Sequence, residues 1–291
     1  MNHMETIHLR PTAELAERVL LPGDPGRALA LAQLLLEKPL MFNHHRGLWG
    51  YTGEAMDGAL LTVQSTGMGG PSAAIVLHEL IALGVKRAIR VGTCGALHPT
   101  LRLGDLVVAR EAIAADGTSA ALLAGAAADR TSAALIAGAT AGCAPASAVV
   151  ETTTLAEHEP EERSRAHAGA RTRGSTYART YPHRALTDRL EDALAGHRGR
   201  AHGNATIVST DLFYEPGQGR IGKWSAEEAI AVEMEASALF AVGERAAIEV
   251  GCLLTVSDTF DGNGNRSRID EHALLEAAET MGRAAATALA E

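Results

Sequence analysis

Three runs in the first part of the chain combine arginine, glycine and hydroxyl residues in a way that suits an anion. The run Arg90-Val91-Gly92-Thr93-Cys94-Gly95 follows an apolar stretch from Val85 to Val91. Small residues at the carboxyl end of a buried strand let a ligand approach the backbone, while Arg90 and the Thr93 hydroxyl supply donors. A tight strand-to-loop turn with a solvated Arg90 accounts for the same residues equally well. The run Gly23-Asp24-Pro25-Gly26-Arg27 opens an apolar helical stretch, Ala28 to Leu36. Free N–H groups and the positive end of a helix dipole make such a start an anion site, and a plain Pro/Gly turn with a surface arginine is the alternative. The run Ser65-Thr66-Gly67-Met68-Gly69-Gly70-Pro71-Ser72 is a second glycine-rich turn ahead of a helix. Its glycine spacing differs from the dinucleotide fingerprint.

Carboxylates gather later. Glu233 and Glu235 flank Met234 at a strand-to-helix junction, and Asp258 closes a strand over Cys252 to Val256. Paired carboxylates can do acid and base work, but residues two apart at such a junction need not converge, and an acidic first turn also stabilises a helix through its dipole. His44-His45-Arg46-Gly47 offers two imidazoles to a metal. Neighbours on a strand face opposite ways, however, so Arg46 is the more useful group there. Gln218 and Arg220 lie in a polar loop after a strand at Ala205 to Ser209, and solvation of both is the simple reading.

The elements that must position these groups alternate. Strands are predicted at Val19-Leu21, Leu60-Val63, Val85-Val91 and Asp105-Ala109, with helices at Ala28-Leu36, Ala73-Leu83 and Ala185-Leu194. This alternation implies an α/β fold: a single domain whose twisted, mixed and mostly parallel sheet is flanked by helices. The chain has 291 residues, 46% of them hydrophobic and 21% charged. Its apolar runs stop well short of the roughly 20 residues that span a bilayer. Met1 to Pro11 lacks a signal-peptide pattern, so a cytoplasmic location is expected. The three cysteines, Cys94, Cys143 and Cys252, are widely spaced and suggest neither a disulfide framework nor a zinc site. A net charge of -9 gives no basic footprint for nucleic acid, so any anion must be held by a local arginine cluster.

The motifs Gly23-Asp24-Pro25-x-Arg27, Ser65 to Ser72 and Arg90 to Ala96 resemble the nucleoside phosphorylase family, which contains uridine phosphorylase and the hexameric purine nucleoside phosphorylases. The resemblance runs from about His8 to Asp258. It implies reversible phosphorolysis of a nucleoside to free base and ribose 1-phosphate, with phosphate as co-substrate and neither a metal nor an organic cofactor. It assigns phosphate to Gly23, Arg27, Arg90, Thr93 and Arg46, the last lent by a neighbouring subunit. It assigns ribose to His8, Thr93, Met234 and Glu235, and implies a homo-oligomer, a hexamer built as a trimer of dimers.

For the base, the run Phe213 to Arg220 resembles the uridine phosphorylase loop, which implies that Gln218 and Arg220 hold the uracil edge while Phe213 and Glu233 line its pocket. An amide and a guanidinium complement two carbonyls and an N–H. Glu215 departs from that pattern by one inserted residue, and Asp258 matches the acid of the purine enzymes. On this balance uridine is the expected substrate, with a purine nucleoside and Asp258 as general acid the alternative. A catalytically idle nucleoside-binding protein is the reading from another class. The segment 118–180, rich in Ala at first and then charged, is not explained by the resemblance and is expected to be an insertion: an alanine-rich helical pair followed by a solvated segment.

Overall fold

The structure is a computed structural model that describes residues 6–126, 176–197, 199–214, 218–260 and 265–290. Most of the expected insertion, and its helical pair, therefore lies outside the described residues.

The strands are β1 (Arg18–Leu21), β2 (Glu37–Asn43), β3 (Gly50–Glu54), β4 (Leu60–Gln64), β5 (Arg87–Ala96) and β6 (Leu106–Ala115). They continue with β7 (Ala178–Thr180), β8 (Ala201–Thr210), β9 (Ala231–Glu233), β10 (Glu249–Phe260) and β11 (Arg266–Arg268). The helices are α1 (Pro25–Leu35), α2 (Gly70–Ala82), α3 (described over 117–126), α4 (Arg184–Leu194), α5 (Gln218–Ala226), α6 (Ala236–Ala246) and α7 (Glu271–Ala290).

All the strands belong to one mixed sheet. Its middle, β4–β1–β5–β10, is parallel, and antiparallel pairs add β3 and β2 at one side and β11 at the other. The sheet also closes on itself. Strand β10 pairs with β6, β6 with β8, β8 with β9, and β9 returns to β5.

Helices cover both faces, as the alternation implied. Val19 and Leu21 of β1 enter a core shared with Val76, Leu77 and Leu80 of α2 and Leu239, Phe240 and Val242 of α6. Leu20, between them, turns to the opposite core with Leu31 and Leu35 of α1, Leu190 of α4 and Met281 and Ala285 of α7. A strand period of two puts successive side chains on opposite faces, which is why three consecutive apolar residues are needed where both faces are covered.

Two local expectations are corrected. Strand β5 does not end at Val91: it runs through the glycine motif to Ala96, because Gly95 and Ala96 pair with β9 on one side and residues to Gly95 pair with β10 on the other. His44 to Gly47 is not strand. His45–Gly47 forms a 3-10 turn in which Arg46 adopts φ 58°, the left-handed region. At the far end of the segment 118–180, Ala178–Thr180 is part of the sheet, paired with β6.

Candidate active site

The carboxyl ends of the parallel strands open on a cleft of about 800 Å3. Ligands of open α/β sheets bind at such ends. Strand β5 supplies Arg90, Thr93 and Cys94; β10 supplies Asp258; β9 and the start of α6 supply Glu233, Met234 and Glu235; the turn into α1 supplies Gly23 and Arg27. Residues far apart in the chain thus meet because their strands are neighbours in the sheet.

Arg90 organises one end. It faces the α2 and α6 side of the sheet and is 3% exposed. Its Nε donates to Glu233 Oε2 at 2.8 Å, and Nη2 pairs with Glu235 Oε2. Burial opposes the Arg90 charge, but Glu235 and Glu233 outweigh it and hold the guanidinium above its ordinary pKa. Its Nη1 is buried without a hydrogen-bond partner. A Cβ on Gly92 would lie 2.7 Å from Arg90 Cζ, so the guanidinium folds back over Gly92 and would have to shift for any larger residue there.

Arg27 stands in the first turn of α1. The Asp24 side chain caps that helix by accepting from Arg27 N at 2.7 Å, so one of the expected free N–H groups is already taken. The Arg27 guanidinium makes no hydrogen bond or ion pair among the described residues. Burial lowers its pKa, Asp24 counters this, and Arg90 lowers it further. Two guanidiniums with an unpaired N–H between buried walls form a site for an oxyanion.

The two glutamates have different jobs. Glu233 accepts from Arg90, from Ser209 Oγ, and from the backbone N–H groups of Glu235 and Ala236 at the start of α6. Its carboxylate lines the cleft but is committed to holding Arg90 and the helix, which leaves the expected base contact without a free acceptor pair. Glu235 reaches the second glycine turn: its Oε1 accepts from Gly69 N at 2.5 Å, where Gly69 has φ 87°. Burial raises the Glu235 pKa, with Arg90 pulling down and Glu233 pushing up. Met234, between them, and Thr93 are half-buried in the cleft wall.

Asp258 also lines the cleft and is 6% exposed. Its register against β5 shifts between Val256 and Asp258, a bulge that re-aims the side chain. Ser257 Oγ donates to Asp258 Oδ2 at 2.7 Å, and Arg266 Nε donates to Oδ1 at 2.8 Å. Arg266 also lies 4.9 Å from the ring centre of Phe213, which is half exposed in the same wall.

Several expected residues are placed elsewhere. Arg220 sits in α5 and is not part of the cleft lining among the described residues. The side chain of Gln218, like residues 215–217 with Glu215, lies outside the described residues. Of the expected uracil-reading pair, only Arg220 has a described side chain, and it is carried by a helix rather than a loop. His8 and Arg46 also lie away from this cleft, but they are close to each other. His8 Nδ1 is 2.7 Å from Glu79 Oε1, and its carbonyl oxygen is 3.3 Å from His45 Nδ1, beside Arg46. Arg266, Arg268 and Ser209 carry no role in the sequence reading. The Arg-Ser-Arg spacing would place both arginines on one face of a strand, but the flanking Asp261-Gly262-Asn263-Gly264 reads as a loop.

A family model described as the phosphorylase superfamily matches residues 17–291. The chain belongs to the phosphorylase superfamily. Among similar proteins, the purine nucleoside phosphorylase DeoD-type of Clostridium novyi (strain NT) is 31% identical over 249 residues, 84% of each chain. The protein of that name from Geobacillus kaustophilus (strain HTA426) is 32% identical over 248 residues, 85% of this chain and 83% of that one. In Oceanobacillus iheyensis the protein of that name is 47% identical over 100 residues, 34% of this chain and 42% of that one. The superfamily member described here is a nucleoside phosphorylase, a pentosyltransferase, as the three motifs implied. No helix among its described residues is long and apolar enough to cross a membrane.

Proposed function

We propose that the protein is a purine nucleoside phosphorylase, which converts a purine nucleoside and phosphate to the free purine and ribose 1-phosphate. The observation that carries this reading is Asp258, a buried carboxyl in the wall of the cleft that also holds Arg27 and Arg90. The names of the relatives point the same way. Of the Gln218-x-Arg220 run that favoured uridine, the described Arg220 is outside the cleft lining, which agrees with the purine reading.

Phosphate sits against Arg27, the unpaired Nη1 of Arg90, Thr93 and the Gly23 turn. Ribose lies over Met234, with Glu235 accepting from its hydroxyls. Each Glu235 oxygen has one partner and a second lone pair to offer. The base rests by Phe213 with N7 at Asp258. As the C1'–N9 bond breaks, its electrons pass into the purine and Asp258 gives its proton to N7. A phosphate oxygen bonds to C1' on the opposite face. Ser257 and Arg266 then hold the Asp258 carboxylate. Positioning of phosphate and stabilisation of charge on the leaving base are the terms that lower the barrier.

The reading includes an oligomer, a hexamer built as a trimer of dimers, in which His8 and Arg46 complete a neighbour's ribose and phosphate sites. Their common patch away from the chain's own cleft, flanked by the exposed Ile7, Met41 and Trp49, supports it.

Base release from inosine and from uridine, each with and without phosphate, tests the function. Phosphate-dependent cleavage of inosine is expected. Cleavage of uridine in preference to inosine would overturn the purine reading, and cleavage without phosphate would overturn phosphorolysis.

A further inference from the structure

The ribbon formed by β10 and β11 carries a cation that the mechanism above does not use. Asp258 and Arg268 are direct partners in this antiparallel pair, and Phe260 and Arg266 are the pair two residues along. Cross-strand partners share a face of the sheet, and all four side chains line the cleft. Arg266 is committed to Asp258 and to the Phe213 ring. Arg268 has no hydrogen bond or ion pair among the described residues and is exposed beside the proton donor.

We infer that Arg268 selects the base, donating to the exocyclic oxygen of a 6-oxopurine, so that inosine and guanosine are preferred to adenosine. The inference rests on the purine reading. On a purine the C6 substituent lies beside N7 on one edge, so a base whose N7 meets Asp258 brings C6 towards the residue paired with Asp258. An oxygen there accepts from the guanidinium. An exocyclic amine presents hydrogens to a group that is itself only a donor, and the mismatch disfavours adenosine. The 6-oxo group also takes up part of the negative charge that develops on the base as C1'–N9 breaks, where a fixed cation stabilises it.

The test is kcat/KM for inosine and adenosine at saturating phosphate in the native protein, Arg268→Met and Arg268→Lys. The native enzyme is expected to favour inosine by about tenfold or more, the range of one charge-assisted hydrogen bond. Arg268→Met should narrow that ratio by about tenfold through loss on inosine, with adenosine turnover held, while Arg268→Lys restores part of the preference. Equal use of the two nucleosides by the native enzyme, or equal losses on both in Arg268→Met, would sink the inference and leave the purine reading standing. No phosphate-dependent cleavage of either nucleoside would bring down the purine reading and this inference with it.

Discussion

Arg27 and Arg90 both line the cleft, yet they differ in what else they hold. The Arg27 guanidinium has no hydrogen bond or ion pair among the described residues, so on the proposed reading Arg27→Ala removes a phosphate contact and little else. Its phosphate KM should rise about 10- to 100-fold with an unchanged thermal melt, as steady-state kinetics and calorimetry will read. Arg90 is paired with two buried glutamates, so Arg90→Met leaves both uncompensated. That variant should lose about 3–5 kcal/mol of stability as well as phosphate affinity, measured by denaturant unfolding. Asp258→Asn keeps the shape and removes the proton, so inosine kcat/KM should fall by about 100-fold or more while phosphate KM holds. A variant that cleaves inosine at the native rate would remove Asp258 from the acid role.

Among the elements, the start of α3 carries a buried carboxyl outside the proposed chemistry. Asp116 Oδ1 accepts from Ser119 N at 2.7 Å, while its Oδ2 is buried without a partner. Burial raises its pKa, the capping contacts with Ser119 pull it back, and Asp211 and Glu233 push it further up. A carboxyl raised in the folded state favours folding most below its unfolded value and loses that contribution as pH climbs through the folded value. Asp116→Asn keeps the acceptor for Ser119 N and never ionises. It should therefore melt about 2 °C higher than the native protein near pH 7, and the gain should vanish below about pH 4. Melts that differ equally at every pH would count against a charge effect.

At the scale of the whole molecule, the patch that holds His8 and Arg46 is separate from the cleft. If His8 and Arg46 serve a neighbour, Arg46→Ala and Asp258→Asn damage different parts of each composite site. Mixed hetero-oligomers of the two inactive variants should then recover part of the native activity, because some clefts combine an intact Asp258 with an intact Arg46 from the other chain. Recovery absent after confirmed subunit exchange would show that each chain works with its own residues.

The half of the cleft that carries Arg27, Arg90 and Thr93 was legible from residue types. Arginine beside glycine and threonine at a strand end suits an oxyanion in any setting, and three consecutive apolar residues such as Val19-Leu20-Leu21 mark a strand covered on both faces. Local patterns hold where the physics is local. What the base meets was decided by tertiary structure. Arg220 belongs to a polar run that reads as a loop, but packing of Trp224 into a small core with Ile113 and Val208 draws that run into α5. Arg266 and Arg268 gain their place only because β11 pairs antiparallel with β10, a contact between segments whose sequence shows a loop between them. Likewise β5 continues past Val91 because β9 and β10 take up its backbone groups. Hydrogen-bond partners from distant strands satisfy a backbone that its own residues would have allowed to turn.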